Sequence, residues 1–270
     1  MESLLVSLAC SLSTCINATN QGTMTWNNAL PNGIGLRSTV MLGYYTNNNL
    51  TSATFTNDTA GQIFVNGTVN LPNGYATGGI SVGARYGTAI LDNKGSVTST
   101  STSTNGLGYA EGLAAIGKNA QITNSGSVIV TANQGSSAGG IEINGSWTTG
   151  TTYINNSGTV TVSALGTDTQ AVGISALTTS AISAEIVNSG TIELKGGVTF
   201  SGDRSAIFFR TSGTSSVSIP LIFINTSTGI VKADSASYAV SLGEANTNTS
   251  AVQITNSGII SSDNFYAIVT

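Results

Sequence analysis

Two acidic residues are the first candidates for chemistry in this chain of 270 residues. Glu111 and Glu142 lie in or beside neighbouring copies of one recurring sequence phrase, so stacked copies would bring them close together. Hydrolysis of a glycoside normally uses two facing carboxyl groups. We nevertheless expect both side chains to occupy solvated outward positions, and we predict no catalytic residue.

Other catalytic and metal chemistry lacks the residues that it requires. The chain has no His, which excludes every mechanism that uses an imidazole base or ligand. Its lysines alone do not establish a Ser-Lys dyad, and calcium-binding repeats of Gly-Gly-x-Gly-x-Asp are missing. Cys10 and Cys15 cannot form a zinc site without further ligands, and the pair is equally compatible with a small disulfide or two thiols. We predict no enzyme activity, no cofactor and no metal.

The composition points to a β protein with little charge. Charged residues form 7% of the chain and the net charge is −4, whereas an average soluble domain has about 25% charged residues. A nucleic-acid partner is not expected, because such partners require clustered Lys and Arg. A hydrophobic fraction of 40% argues against disorder. Abundant Gly, Ser, Thr and Asn favour strands and turns over helices.

The main signal is an internal repeat. An apolar residue, any residue, Asn, a small residue and Gly recur ahead of alternating Val or Ile, and looser copies centre on Gly22, Gly61 and Gly229. Glycine tolerates positive φ in a turn, and stacked Asn side chains can form an amide ladder. We predict this turn and ladder at Asn93, Gly95, Asn124, Gly126, Asn156, Gly158, Asn188, Gly190, Asn256 and Gly258.

A second phrase, Ala or Gly followed by an apolar residue, lies between these turns. Four copies begin with Tyr, at Tyr75, Tyr109, Tyr238 and Tyr266. The shared repeat position predicts a stacked stripe, which either stabilises the fold or, where exposed, binds a glycan or a host protein.

The densest charged spot is Asp203-Arg204. We expect it to lie in a turn, either as an ordinary local ion pair or as a recognition contact on a protruding loop.

Each repeat of about 32 residues offers three short strands with period-two alternation. This pattern predicts an all-β solenoid of seven to eight coils over residues 16–270, after an N-terminal segment 1–15 that serves as a first strand or cap. A propeller blade would need about 40 to 45 residues and a Trp-Asp signature. The pattern stops within a repeat at Tyr266–Thr270, so we expect the parent chain to continue, or the open ends to self-associate.

The Ile-x-Asn-Ser-Gly-x-Ile/Val repeats resemble the passenger regions of bacterial autotransporters over about residues 16–270. This resemblance implies a right-handed parallel β-helix that is exported through the outer membrane and displayed on the cell surface or secreted. In that family a C-terminal β-barrel translocator follows the passenger, so the parent protein is expected to carry one. Related Asn- and Gly-rich coils also occur in other surface adhesins and in filamentous proteins.

The resemblance and the lack of catalytic residues together favour a non-enzymatic scaffold with an adhesive role. Its expected partner is a host-surface protein or a glycan. Two alternatives remain: a carbohydrate-active or carbohydrate-binding β-helix, and a fibre subunit that self-assembles end to end.

Overall fold

The computed structural model describes residues 15–30, 37–43, 50–69, 76–103, 108–133, 137–145, 150–165, 170–179, 182–196, 204–212, 220–234, 237–242, 251–263 and 266–269. Every regular element in these ranges is a β-strand. The strands are β1 (Cys15–Asn20), β2 (Thr23–Leu30), β3 (Arg37–Leu42), β4 (Ser52–Asn57), β5 (Gln62–Val69), β6 (Ala76–Asn93), β7 (Ser96–Ser103), β8 (Tyr109–Asn124), β9 (Ser127–Asn133), β10 (Ser137–Gly145), β11 (Gly150–Asn156), β12 (Thr159–Ala164), β13 (Ala171–Thr179), β14 (Ile182–Asn188), β15 (Thr191–Lys195), β16 (Arg204–Ser212), β17 (Leu221–Asn225), β18 (Ile230–Ala233), β19 (Tyr238–Leu242), β20 (Val252–Asn256), β21 (Ile259–Ser262) and β22 (Ile268–Val269).

Each strand pairs in parallel with the equivalent strand one repeat further along, which stacks the repeats as coils. The first face is an eight-stranded sheet in the order β2-β5-β7-β9-β12-β15-β18-β21. The other two faces share one larger sheet, because β6 and β8 each run through both of them. The second face continues through β10, β13, β16, β19 and β22, and the third through β11, β14, β17 and β20. The predicted all-β parallel solenoid is confirmed.

The repeat length varies between 31 and 37 residues from coil to coil. Five turns of about 33 residues on average lie between Asn93 and Asn256, with individual steps of 31, 32, 32, 37 and 31 residues. These five turns are fewer than the seven to eight coils predicted. Two further steps, of 37 and 36 residues, extend the stack to Asn20. The pairing of β6 with β8 shifts register between Ala84 and Thr88, so part of the extra length lies within β6.

The core consists of apolar side chains that point into the solenoid and stack on the equivalent side chains of the adjacent coils, forming columns along its axis. Val128, Val160 and Ile192 are fully buried and stack in register across β9, β12 and β15. The period-two alternation therefore places apolar residues inside, as predicted, and burial of this surface drives the folding of each coil onto its neighbour.

The turn glycines are required for a reason different from the predicted one. Among the described glycines, positive φ occurs at Gly43 and Gly196, and the Gly of the Asn-x-Gly turns does not adopt it. A Cβ added at Gly158 would instead collide with the carbonyl oxygen of Gly126 in the previous coil. The requirement thus comes from the close approach of successive turns, and the explanation by φ was wrong.

Candidate functional site

The predicted ladder of Asn side chains is confirmed. Each Nδ2 donates to the Oδ1 of the equivalent Asn in the next coil, at distances of 2.7 to 2.9 Å. The ladder also includes three residues that were not predicted, Asn20, Asn57 and Asn225. The signal for them was present, because the looser repeats at Gly22, Gly61 and Gly229 follow these residues.

The ladder satisfies polar groups inside the solenoid. Asn93, Asn124, Asn156 and Asn188 are fully buried. Several of the amides also reach backbone carbonyls, as in the 3.2 Å hydrogen bond from Asn188 Nδ2 to the Gly190 oxygen. Because buried amides are stable only when they are hydrogen-bonded, the ladder holds the turns at a fixed register. Its role is structural.

A buried acidic cluster lies on the second face, formed by Glu111 and Tyr109 of β8 and Glu142 of β10. Glu111 is only 8% exposed, and Glu142 is half-buried. The Tyr109 hydroxyl donates a 3.1 Å hydrogen bond to Glu142 Oε2. The prediction that the two glutamates are solvated is therefore wrong for Glu111 and only partly right for Glu142.

Glycine at position 139 makes this cluster possible. Glu111 pairs in register with Gly139 of β10, and a Cβ added at Gly139 would collide with the Tyr109 hydroxyl. The Tyr109 side chain therefore lies across Gly139 to reach Glu142 in the adjacent coil. The sequence contained this signal only indirectly, as a Tyr two residues before Glu111 and a Gly pair in the next copy of the phrase.

Burial raises the pKa of both carboxyl groups. Burial raises the pKa of Glu111 to about 8, and the charge of Glu142 adds to this effect. Burial also raises the pKa of Glu142, but the hydrogen bond from Tyr109 opposes the increase. Burial and the two nearby carboxylates raise the pKa of Tyr109 well above its ordinary value. The raised pKa keeps Glu111 largely protonated at neutral pH.

A protonated carboxyl group beside an ionised one is the arrangement that supplies a general acid and a general base. Within the described ranges, no group of three or more His, Cys, Asp or Glu residues could hold a metal ion.

The structure places Arg204 inside the solenoid, which corrects the prediction of an exposed turn. Arg204 begins β16, is 2% exposed, and occupies the column of Ala171. Its Nε donates to Ser237 Oγ at 3.1 Å, and its Nη2 lies 3.6 Å from Asp234 Oδ2. Burial lowers the pKa of Arg204, and Asp234 opposes this shift. Arg204 is a buried structural residue, while Asp203 lies outside the described residues.

The predicted tyrosine stripe does not form between Tyr109 and Tyr238. Tyr109 pairs with Ala76 and Ser137, whereas Tyr238 pairs with Ser205. The column that contains Tyr238 passes through Ser205, Val172 and Gly139 to Glu111, two positions away from Tyr109. Tyr266 is 73% exposed, and Tyr75 lies outside the described residues.

Comparisons of this chain with protein-family models, with curated proteins and with solved structures find no match. Among the residues that the structure describes, no helix has the length and apolar character needed to cross a membrane. Two features stand out in this solenoid: the continuous Asn ladder and the buried cluster of Glu111, Glu142 and Tyr109.

Proposed function

We propose that this protein is a non-enzymatic β-solenoid scaffold of the bacterial autotransporter passenger type, displayed on the cell surface or secreted, with an adhesive role. The observation that carries the proposal is the unbroken Asn ladder from Asn20 to Asn256. It accompanies the Asn-Ser-Gly repeats on which the resemblance to that family rests.

A solenoid of this kind acts by physical means. Each coil contacts only its neighbours, so the stack forms an extended body whose links can vary without disturbing the core. Links and outward faces that repeat along such a body offer several weak contacts to the same partner, and multivalency converts them into firm attachment. A host-surface protein or a glycan is the partner that suits this mechanism.

Surface display is tested on intact cells that produce the protein. Antibodies against the 270-residue chain should stain intact cells, and protease added outside the cells should remove the staining. Purified chain should also bind host cells in a saturable manner. Staining that requires permeabilised cells, together with no binding to host cells, would refute the proposal.

A second candidate function is acid–base chemistry on a carbohydrate. The observation that favours it is the buried Glu111 close to Glu142, which accepts a hydrogen bond from the Tyr109 hydroxyl. Glycoside hydrolysis divides the roles of acid and of base or nucleophile between two such groups. The burial of Glu111 would keep it neutral at physiological pH, as a general acid requires.

A panel of polysaccharides distinguishes the two functions. Under the scaffold proposal, the wild-type chain produces no reducing ends from any of them. Under the second proposal it does, and both Glu111→Gln and Glu142→Gln abolish the turnover while Glu185→Gln, an outward residue of β14, retains it. Turnover that follows this pattern would replace the scaffold proposal with the enzymatic one.

A further inference from the structure

The outward side of the first face is an uncharged surface rich in hydroxyl and amide groups. Five consecutive strands of this face, β2, β5, β7, β9 and β12, contain no Asp, Glu, Lys or Arg. Their outward side chains are mainly Thr, Ser, Asn and Gln, and they alternate with the buried apolar columns. We call this surface, made of the outward residues of the five strands, the hydroxyl face.

The central column of the hydroxyl face carries an apolar side chain on every second strand. The column runs in register through Thr25, Phe64, Thr98, Ile129 and Thr161. Phe64 is 38% exposed and Ile129 is 43% exposed, although both stand among polar residues. Adjacent strands are about 4.8 Å apart, so these two side chains are separated by about 10 Å along the solenoid axis.

Polar groups flank each apolar side chain on its own strand. Gln62 and Asn66 lie two residues before and after Phe64, and both are exposed. Ser127 and Thr131 flank Ile129 in the same way and are half-buried. Each apolar side chain thus forms a small platform between hydrogen-bonding groups, and the platform recurs every two coils.

This combination of groups indicates the class of ligand. A sugar ring has an apolar face of C–H groups that packs on an aromatic or aliphatic side chain, and hydroxyl groups at its edge that bond with amides and hydroxyls. An anionic polymer gains nothing here because the five strands supply no cation. The separation of the two platforms, about 10 Å from the strand spacing, is close to the disaccharide repeat of an extended β-1,4-linked glycan.

We propose that the hydroxyl face binds an extended neutral glycan that runs along the solenoid axis, with alternate sugar rings on Phe64 and Ile129. The binding site ends at β15, where Glu193 and Lys195 form an ion pair of 2.8 Å on the same face. The inference rests on the proposed function as a binding scaffold, and it gives that scaffold a face and a ligand class. It does not involve the acidic cluster, which lies on the second face.

The experiment measures co-sedimentation of the purified chain with insoluble cellulose as the neutral β-1,4-linked probe. The wild-type chain should bind, and soluble polygalacturonate, an anionic polymer, should not compete. Phe64→Ala and Ile129→Ser should each weaken binding by about three- to tenfold, the factor expected from the loss of one ring-packing contact. Tyr86→Ala is the matched control, because Tyr86 is 50% exposed on β6, away from the first face, and its loss should leave binding unchanged.

A charge at the centre of the same face provides an independent test. Thr98→Glu lies outward between the two platforms and leaves the core residues intact, so its circular dichroism should match the wild type while binding to cellulose is lost. The inference fails if the wild-type chain does not bind cellulose, or if Phe64→Ala and Thr98→Glu bind as the wild type does. If the hydroxyl face binds cellulose, but only permeabilised cells are stained and the chain does not bind host cells, the proposed function fails and the inference stands.

Discussion

The side-chain amide of Asn124 donates a 2.8 Å hydrogen bond to Oδ1 of Asn156, which lies 32 residues further along the chain and one coil away. Asn156 Nδ2 in turn donates a 2.8 Å hydrogen bond to Oδ1 of Asn188. All three side chains are fully buried. Each Asn inside the ladder therefore accepts a hydrogen bond from the Asn of one adjacent coil and donates one to the Asn of the other. A substitution at one position disturbs three coils.

Replacing Asn156 with Ala should lower the stability of the solenoid substantially. The substitution leaves Asn124 Nδ2 without its Asn acceptor and Asn188 Oδ1 without its Asn donor. A buried polar group that loses its partner costs about 1–3 kcal/mol, so we expect a loss of about 2–4 kcal/mol in the free energy of unfolding. Urea denaturation followed by circular dichroism measures the change.

Asn155→Ala is the matched control for this prediction. Asn155 is the preceding residue on β11 and points outward, so its loss should change the stability by no more than about 0.5 kcal/mol. Equal effects of the two substitutions would show that the ladder contributes nothing beyond ordinary surface contacts.

The turn glycines give a second pair of variants. A Cβ at Gly158 would collide with the Gly126 carbonyl oxygen, whereas a Cβ at Gly22, the equivalent position of the first turn, meets nothing within 4 Å. Gly158→Ala should force adjacent coils apart and lower the thermal midpoint by several degrees, because a strained backbone contact costs about 1–3 kcal/mol. Gly22→Ala should stay close to the wild type. A similar loss in both variants would instead point to a local φ requirement at the turn.

Contacts that repeat in every coil could be predicted from the sequence. The Asn-x-Gly spacing and the alternation of Val and Ile indicated the ladder and the inward columns, since identical residues at one repeat position stack on each other. Asn225 shows the limit of this rule: it joins the ladder despite a step of 37 residues, because the link and not the strand takes up the extra length.

The sequence of a single strand does not show which neighbouring side chains cover an outward position. It also does not show with which residues of the next coil the strand pairs. Glu111 occupies an outward position by alternation, yet it is buried, and the sequence of β8 alone does not show this. Tyr109 and Tyr238 share the phrase Tyr-Ala, but hydrogen-bond register places them in columns two residues apart. The sequence alone suggests that Arg204 is a surface charge. Its pairing with Ala171 instead places its side chain in a column that faces the core.

An unpartnered hydroxyl group in the core leads to a stabilising substitution. Ser101 of β7 is fully buried, and in the described part of the structure its Oγ has no hydrogen-bond partner. Ser101→Ala removes this group with little change in volume, so we expect stability to rise by about 1 kcal/mol. Ser99 on the same strand is also buried but has a partner, so Ser99→Ala should bring no gain. If Ser101→Ala proves destabilising in urea titration, its hydroxyl group is satisfied in solution.

The acidic cluster predicts how stability depends on pH. The unfolded chain releases the Glu111 proton near pH 4.5, whereas the folded chain keeps it until about pH 8. The folded state therefore binds more protons than the unfolded state between these values, and the free energy of unfolding must fall as pH rises through this window. The full contribution is present below about pH 4.5 and is lost above about pH 8. The raised pKa of Glu142 acts in the same direction.

Glu111→Gln tests this assignment, because the amide has similar size and cannot ionise. Its urea midpoint should vary much less than that of the wild type between pH 5 and pH 8, and the two proteins should differ most at the alkaline end, where the variant is the more stable. Asn155→Ala removes an outward side chain of β11 that cannot ionise, so it should retain the wild-type slope. An unchanged slope in Glu111→Gln would show that Glu111 is ionised in the folded state, and it would remove the general acid on which the second candidate function depends.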